Sequence, residues 1–489
     1  MTRIRRLVGA ACLAAALLPG AATRAADVPD TPCRVAGLPH EVRCGSVQRP
    51  LDPAAPEGRR IDVHYVVVPA LARRKRPDPV FLLAGGPGQS AIDIAGDVMP
   101  LFARLNNRRD IVFVDQRGTG RSAPLACDDD AHRTLAGQAN VERQLALLGK
   151  CREALAALPY VGGADGLRFF TTAIAMQDLE AVRAALGAGR INLVGVSYGT
   201  RAALDYQRQF PARVRRSVLD GVAPPDMALP GSFSADAQAA LDAWFAACHN
   251  DAACAVRHPR LREDWQALLA GLPRTVTLPH PLDDREERVE LTRELLLGAV
   301  RAALYTPARA AALPPAIAAA AAGRPQALLA LGVPGGPRRG DIAAGMHFSV
   351  MCAEDVPHLG PAADAPGADV GTGFASIYRR VCEDWPRGAL PEGFRHIARS
   401  AMPVLLLSGG LDPVTPPRHA ERTARALGEL ARHVVVPNAG HGVLSLGCMH
   451  DVLWRFIDAD TPAEALAVDA GCAADLPRPV VFQPVVLPR

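Results

Sequence analysis

Lysine is nearly missing from this 489-residue chain: Lys75 and Lys150 stand alone, and the rest of its 54 basic residues are arginines. Against 50 acidic residues they leave a formal charge of only +4, and they are scattered among the acids apart from the run Arg73-Arg74-Lys75-Arg76. A run that short reads as a solvated loop, so no nucleic-acid partner is indicated. Beyond the N-terminal region no apolar segment reaches the ~20 residues needed to cross a bilayer, so no membrane anchor is expected there. No C-x-x-C pair, no H-E-x-x-H and no P-loop occurs, so neither a metal nor a nucleotide cofactor is implied. There is no internal repeat. What remains is a chain with 49% apolar residues, long enough for a main domain plus a substantial insertion.

The N-terminus reads as a targeting signal. Arg3, Arg5 and Arg6 form a positive segment, Leu7 to Leu18 a short apolar stretch, and Ala21 to Ala26 a small-residue cleavage region, most simply cut after Ala25. Residues 1–25 are therefore expected to direct export, to the periplasm or outside the cell. Loss of that segment removes Cys12 and leaves ten cysteines. They fall along the chain in five local couples: Cys33 with Cys44, Cys127 with Cys151, Cys248 with Cys254, Cys352 with Cys382, and Cys448 with Cys472. An even count in an exported chain suggests disulfides, and sequential pairing is the expectation.

The mature part opens with two expected strands, around Arg43–Val47 and Ile61–Val68. Near-continuous apolar runs follow at Val80–Leu83, Ile111–Val114, Ile191–Val194 and Ser217–Leu219, and again at Pro403–Leu407 and His433–Val436. Alanine-rich helical stretches separate them, notably Val141–Leu158 and Thr171–Leu186. Such alternation indicates an α/β fold with a mainly parallel sheet. Between its halves the pattern changes to helices (Ala235–Cys248, Leu261–Leu269, Leu291–Ala303, Pro315–Ala322) and proline- and glycine-rich joints. Residues 223–400 thus read as a mostly helical cap inserted between a first core part, 26–222, and a second, 401–489.

Gly195-Val196-Ser197-Tyr198-Gly199 lies directly between an expected strand and an expected helix. That context makes G-x-S-x-G a nucleophile elbow: glycines permit the sharp fold-back, and the serine hydroxyl is left exposed beside a helix N-terminus. A serine needs a base, and the base needs an orienting acid. In chains with this elbow the order is serine, acid, histidine. Asp412 follows the Pro403–Leu407 strand and His441 follows His433–Val436, both just past a strand's carboxyl end, where open α/β sheets place ligand sites. Two N–H donors should meet an oxyanion. One is expected from Tyr198; the other from the Ala84-Gly85-Gly86-Pro87-Gly88 loop, at Gly86 or, as the close alternative, Gly85. The segment Gly118-Thr119-Gly120-Arg121-Ser122-Ala123 matches a dinucleotide fingerprint, but Pro124 and Cys127 follow and no helix opens. It reads as a structural turn, with Asp115 and Arg117 buried as a pair. His64, His347 and His419 read as structural.

These residues together resemble the α/β-hydrolase fold and, more narrowly, the prolyl-aminopeptidase and tripeptidyl-aminopeptidase family of exported serine peptidases. The resemblance rests on Gly85-Gly86-Pro87-Gly88, Asp115 to Ser122, Gly195 to Gly199, Gly410-Leu411-Asp412-Pro413-Val414-Thr415-Pro416 and Gly440-His441-Gly442. Cys382-Glu383-Asp384-Trp385-Pro386 is similar to the cap-to-core junction of the tripeptidyl branch. Ala84 stands where prolyl aminopeptidases usually carry histidine, which argues against strict proline specificity. The resemblance implies a cofactor-free serine exopeptidase acting on short peptides with a free amino end, with a carboxylester hydrolase on the same triad as the alternative. A cationic α-amino group calls for carboxylates in the cap, and Glu354, then Asp355, are the leading candidates; that these acids simply face solvent or pair with arginines is the competing reading. Nothing in the sequence speaks to oligomeric state.

Overall fold

The structure is a computed structural model, and it describes residues 30–127, 134–333, 341–360 and 367–482. The expected signal segment, 1–25, lies outside the described residues. One nine-stranded sheet organises the chain. Its strands are β1 (Thr31–Cys33), β2 (Val42–Pro50), β3 (Arg60–Val68), β4 (Val80–Leu83), β5 (Ile111–Val114), β6 (Ile191–Val196) and β7 (Val214–Asp220). After a separate two-stranded ribbon, β8 (Arg274–Pro279) and β9 (Glu286–Leu291), the sheet is completed by β10 (Val404–Gly409) and β11 (Ala431–Val436). The spatial order is β1-β2-β3-β5-β4-β6-β7-β10-β11. Pairings from β1 through β3 to β5 are antiparallel, and all those from β5 to β11 are parallel.

The apolar runs are continuous because both faces of the parallel part are covered. Within β4, Phe81 and Leu83 join the apolar layer on one face, while Val80 and Leu82 join the other. In β10, Val404 and Leu406 divide from Leu405 and Leu407 in the same way. Among the described residues, the segment between β7 and β10 contributes no strand to this sheet. It forms helices including Phe233–Asn250, Leu261–Ala270, Arg293–Leu304, Leu313–Ala321, Ala344–Glu354 and Gly373–Glu383. A third apolar cluster, with Trp265, Leu296, Leu304, Ile317 and Leu328 fully enclosed, lies among these helices and the ribbon.

Two local expectations need correction. Leu291 ends a strand and does not begin a helix; the alternation in Arg274–Pro279 and Glu286–Leu291 makes the β8–β9 hairpin, with Val289 and Leu291 inward. Asp115 and Arg117 are both buried but are not partners. Arg117 forks onto Asp178 at 2.7 and 3.0 Å and gives its other protons to the carbonyls of Leu51, Phe169 and Pro50. Asp115 accepts from Ser90 Oγ and the backbone N–H groups of Ile92 and Arg121. The five disulfides join 33–44, 127–151, 248–254, 352–382 and 448–472.

Arg117 ties the β2–β3 end of the sheet to the helix Thr172–Ala185 by an ion pair and backbone hydrogen bonds, so removing it leaves buried Asp178 with the partly exposed Arg49 alone. Arg117→Leu should lower the unfolding free energy in urea by about 3 kcal/mol. The double variant Arg117→Leu/Asp178→Leu should recover most of that loss, because no buried charge remains and Arg49, the other partner of Asp178, is solvated.

Candidate active site

Ser197 directly follows β6 and caps the helix Tyr198–Gln209 at φ 56° and ψ −124°, a conformation strained for any residue with a Cβ. Its surroundings leave it no other course. A Cβ on Gly199 would stand 2.0 Å from the Leu83 carbonyl oxygen, and one on Gly195 would stand 2.4 Å from that of Gly199. The helix start is therefore pressed onto the end of β4, and only glycine fits at both positions. The Ser197 N–H donates to the Asp220 carbonyl at 2.8 Å, which fastens the elbow to the end of β7.

Asp412 and His441 meet across the ends of β10 and β11. His441 Nδ1 lies 2.8 Å from Asp412 Oδ2. The other carboxylate oxygen of Asp412 accepts from the Val414 and Thr415 N–H groups at 2.8 and 2.9 Å, and Thr415 Oγ1 lies 2.8 Å from Oδ2 and 3.1 Å from the imidazole. Burial opposes the Asp412 charge, but His441 and these hydrogen bonds hold its carboxyl below the usual carboxylate range. Burial likewise opposes a protonated His441; the charge and hydrogen bond of Asp412, with Asp220 behind them, outweigh it and raise the ring above the ordinary histidine value. Arg301 pulls the other way.

Asp220 joins the elbow to the histidine. Its carbonyl holds Ser197, and its carboxylate accepts from the N–H groups of Val443 and Leu444, directly after the histidine turn, at 2.9–3.0 Å. Full burial pushes its carboxyl up to about 6. The next residue, Gly221, has φ 67°, and a Cβ there would approach His441 Cε1 to 3.1 Å. Serine and histidine thus flank one dipeptide, 220–221. The strand run that marks β7 was visible in the sequence, but the role of its last residue was not, since an aspartate before glycine reads as a turn.

Around the elbow, the Gly85 N–H donates to Gln89 Oε1 at 3.3 Å, whereas Gly86 is exposed and nothing among the described residues accepts its N–H. Tyr198 opens its helix, so its N–H has no partner in the helix's own ladder. The Ala84–Gly88 loop is backed by the helical segment that follows residue 340: Ala343 N–H donates to the Gly88 carbonyl at 2.9 Å, and His347 bridges the Pro87 carbonyl (3.1 Å) and Tyr378 Oη (2.9 Å). His347, expected to be structural, is so in a site-related sense, holding the loop from behind. His64 and His419 have no such position; His419 faces Asp236 at 3.2 Å. On the other side, the Tyr305 carbonyl accepts the His441 N–H at 2.8 Å, and the two rings meet edge-on at 5.1 Å.

Glu354 and Asp355 do not stand where a substrate ammonium could reach them. Both are 0% exposed. Asp355 is forked by Arg201 at 2.8 and 2.9 Å and also accepts the Leu229 N–H. Glu354 accepts from Thr172 N–H at 2.7 Å and Thr172 Oγ1 at 2.8 Å, and Thr172 in turn meets Tyr198 Oη at 2.6 Å. Burial pushes Glu354 up to about 7. The spacing of two adjacent acids after Cys352 could not tell a cleft from an interior, because the arginine that claims them lies more than 150 positions away.

A parallel sheet with crossover helices, a strained serine between strand and helix, and a carboxylate–imidazole pair past the later strands together define an α/β-hydrolase. The profile described as alpha/beta hydrolase fold matches residues 78–273, and the one described as TAP-like protein matches residues 369–465. The protein has the α/β-hydrolase fold, and its residues 369–465 are similar to TAP-like proteins. It is 31% identical over 214 residues to serine protease Hip1 of Mycobacterium tuberculosis, covering 40% of this chain and 39% of that protein. It is 32% identical over 196 residues to tripeptidyl aminopeptidase of Streptomyces lividans, covering 38% and 36%. The chain thus spans about two-fifths of the length of these two relatives. A third relative, carboxylesterase B of M. tuberculosis, is 29% identical over 477 residues, 87% of this chain and 86% of that protein.

Asp220→Ala leaves two buried N–H groups without acceptors and should cost about 1–3 kcal/mol in chemical denaturation. Asp220→Asn keeps an acceptor oxygen and should lose less. Because the Asp220 charge helps to raise His441, the acid limb of kcat/KM in the asparagine variant should move to lower pH.

Proposed function

We propose that this protein is an exported serine exopeptidase that hydrolyses short peptides from a free amino end. The observation that carries the reading is the Asp412–His441 hydrogen bond set beside a serine forced into an elbow conformation. Ser197 Oγ attacks the scissile carbonyl as His441 takes its proton. Asp412 orients the imidazole and stabilises the imidazolium. The oxyanion is received by the Tyr198 and Gly86 N–H groups; Gly85 is the lesser candidate because its own N–H is already engaged by Gln89. His441 returns the proton to the leaving amine, and water, activated by the same ring, releases the acyl group. Residues 223–400 serve as the cap over this centre.

The names of two relatives, a serine protease and a tripeptidyl aminopeptidase, support peptide bonds as the target. Five disulfides support an oxidising location, periplasmic or secreted. The burial of Glu354 and Asp355 leaves the amino-end preference resting on the family likeness. A carboxylester hydrolase is the second reading, favoured by the long match to carboxylesterase B.

A fluorogenic panel decides between them: aminoacyl and tripeptidyl amides with free amino ends, their N-blocked versions, and short acyl esters. Turnover of the free-amino amides alone is expected, and Ser197→Ala should abolish it; turnover of esters alone overturns the peptidase reading. The base form of His441 is the active one, and its pKa is raised, so kcat/KM should climb with pH along a limb centred above 6.5. Asp412→Asn removes the main raising influence and should move that limb down while cutting kcat by about 10³–10⁴-fold.

A further inference from the structure

The cap brings a cation to the site, not a free carboxylate. Arg301 lies in the last turn of the helix Arg293–Leu304, whose end abuts the histidine turn: a Cβ on Gly440 would stand 2.4 Å from the Tyr305 carbonyl oxygen, which also accepts the His441 N–H. The Arg301 guanidinium lies among three rings, 4.8 Å from Phe374, 5.4 Å from Phe233 and 5.7 Å from Tyr305, and touches Tyr305 Oη at 3.4 Å. No carboxylate among the described residues pairs with it. Arg301, Phe233, Tyr305 and Phe374 are all partly exposed, so the guanidinium is open to solvent on one side. Arginine prefers a planar, two-oxygen partner, and three flat apolar rings around it lower the local dielectric and strengthen such a pairing.

We propose that Arg301 is a specificity-determining residue that receives a carboxylate of the substrate on its leaving-group side. This rests on the peptide-hydrolase reading of the site above. The side follows from proton traffic: His441 must reach the leaving amine, so groups packed against the imidazole border the leaving portion. The guanidinium lies one ring beyond the imidazole, through Tyr305. At ~3.3–3.6 Å per extended residue, a carboxylate about two or three residues past the scissile bond spans that gap. Two sources present that chemistry: the free C-terminus of a short peptide, or an aspartate or glutamate side chain in a longer one. The first makes the enzyme a trimmer of very short peptides, the second a reader of acidic sequence.

The test uses the full mature protein and one peptide in three forms: with a free C-terminal carboxylate, with a C-terminal amide, and as the amide with glutamate two residues past the cleaved bond. Acyl esters whose alcohol part carries or lacks a carboxylate run beside them. Wild-type kcat/KM should favour the free-carboxylate peptide over the amide by about tenfold or more. Arg301→Gln should bring that ratio close to one, and Arg301→Lys should retain part of it. If only the glutamate form gains over the amide, the side chain is the source. A ratio that Arg301→Gln leaves unchanged overturns the proposal. So does a parallel fall for all substrates with a lowered Tm, the mark of a cation that merely stabilises a helix end. Peptide turnover without discrimination sinks the Arg301 assignment and leaves the peptidase reading standing. Discrimination among esters with no peptide turnover does the reverse, and turnover of neither class overturns both.

Discussion

Everything at this centre depends on the approach of the helix Tyr198–Gln209 to the end of β4. With 2.0 Å between the Leu83 carbonyl oxygen and where a Gly199 Cβ would be, the chain can turn from strand to helix only by placing Ser197 at positive φ. That single contact presents the hydroxyl, aims the free N–H of Tyr198, and brings the Ala84–Gly88 loop alongside the serine, whose Cβ would lie 3.3 Å from one on Gly85. Strain of this kind costs of order 1–3 kcal/mol and persists only where the surroundings over-determine it. Here they do: the elbow is hydrogen-bonded to Asp220 below it, and Thr200 ties it onward through the Ser197 carbonyl and the Ala223 N–H.

Buried charge provides the second frame. Arg201 with Asp355, Arg117 with Asp178, and Asp220 with the 443–444 backbone are each enclosed and each joined by two or more hydrogen bonds. Such pairs add little net stability over apolar packing, but they tolerate no loosening, since a freed partner would remain as an unpaired charge in the interior. They connect parts remote in sequence: cap to elbow helix, sheet edge to crossover helix, β7 to the histidine turn. The site's geometry is held by polar links that allow one register only, laid over an apolar sheet that would permit several.

On the proposed reading, substrate choice falls to the helical segment between β7 and β10. Tyr305 meets the His441 ring edge-on, and Arg301 stands beside Tyr305 with Phe233 and Phe374 around it. The two acids whose spacing suggested an amino-end contact became instead the means by which the cap is bolted to the elbow helix.

The sequence by itself determined the sheet, the elbow and the order serine, aspartate, histidine. These are written in local patterns: apolar runs at Val80, Ile111, Ile191 and Val404, glycines at a fold-back, and loops after strand ends, each decided by neighbours within a few residues. Five disulfides were legible because the cysteines fall along the chain in consecutive couples, 6 to 30 residues apart. Only the tertiary structure decided the partners of buried charges, the task of Asp220, the place of His347 behind the oxyanion loop, and which polar groups of the cap face the cleft. A charge takes whatever counter-charge the fold brings within about 3 Å, and residues such as Arg201 and Asp355, 154 positions apart, leave no mark of that meeting in their local sequence.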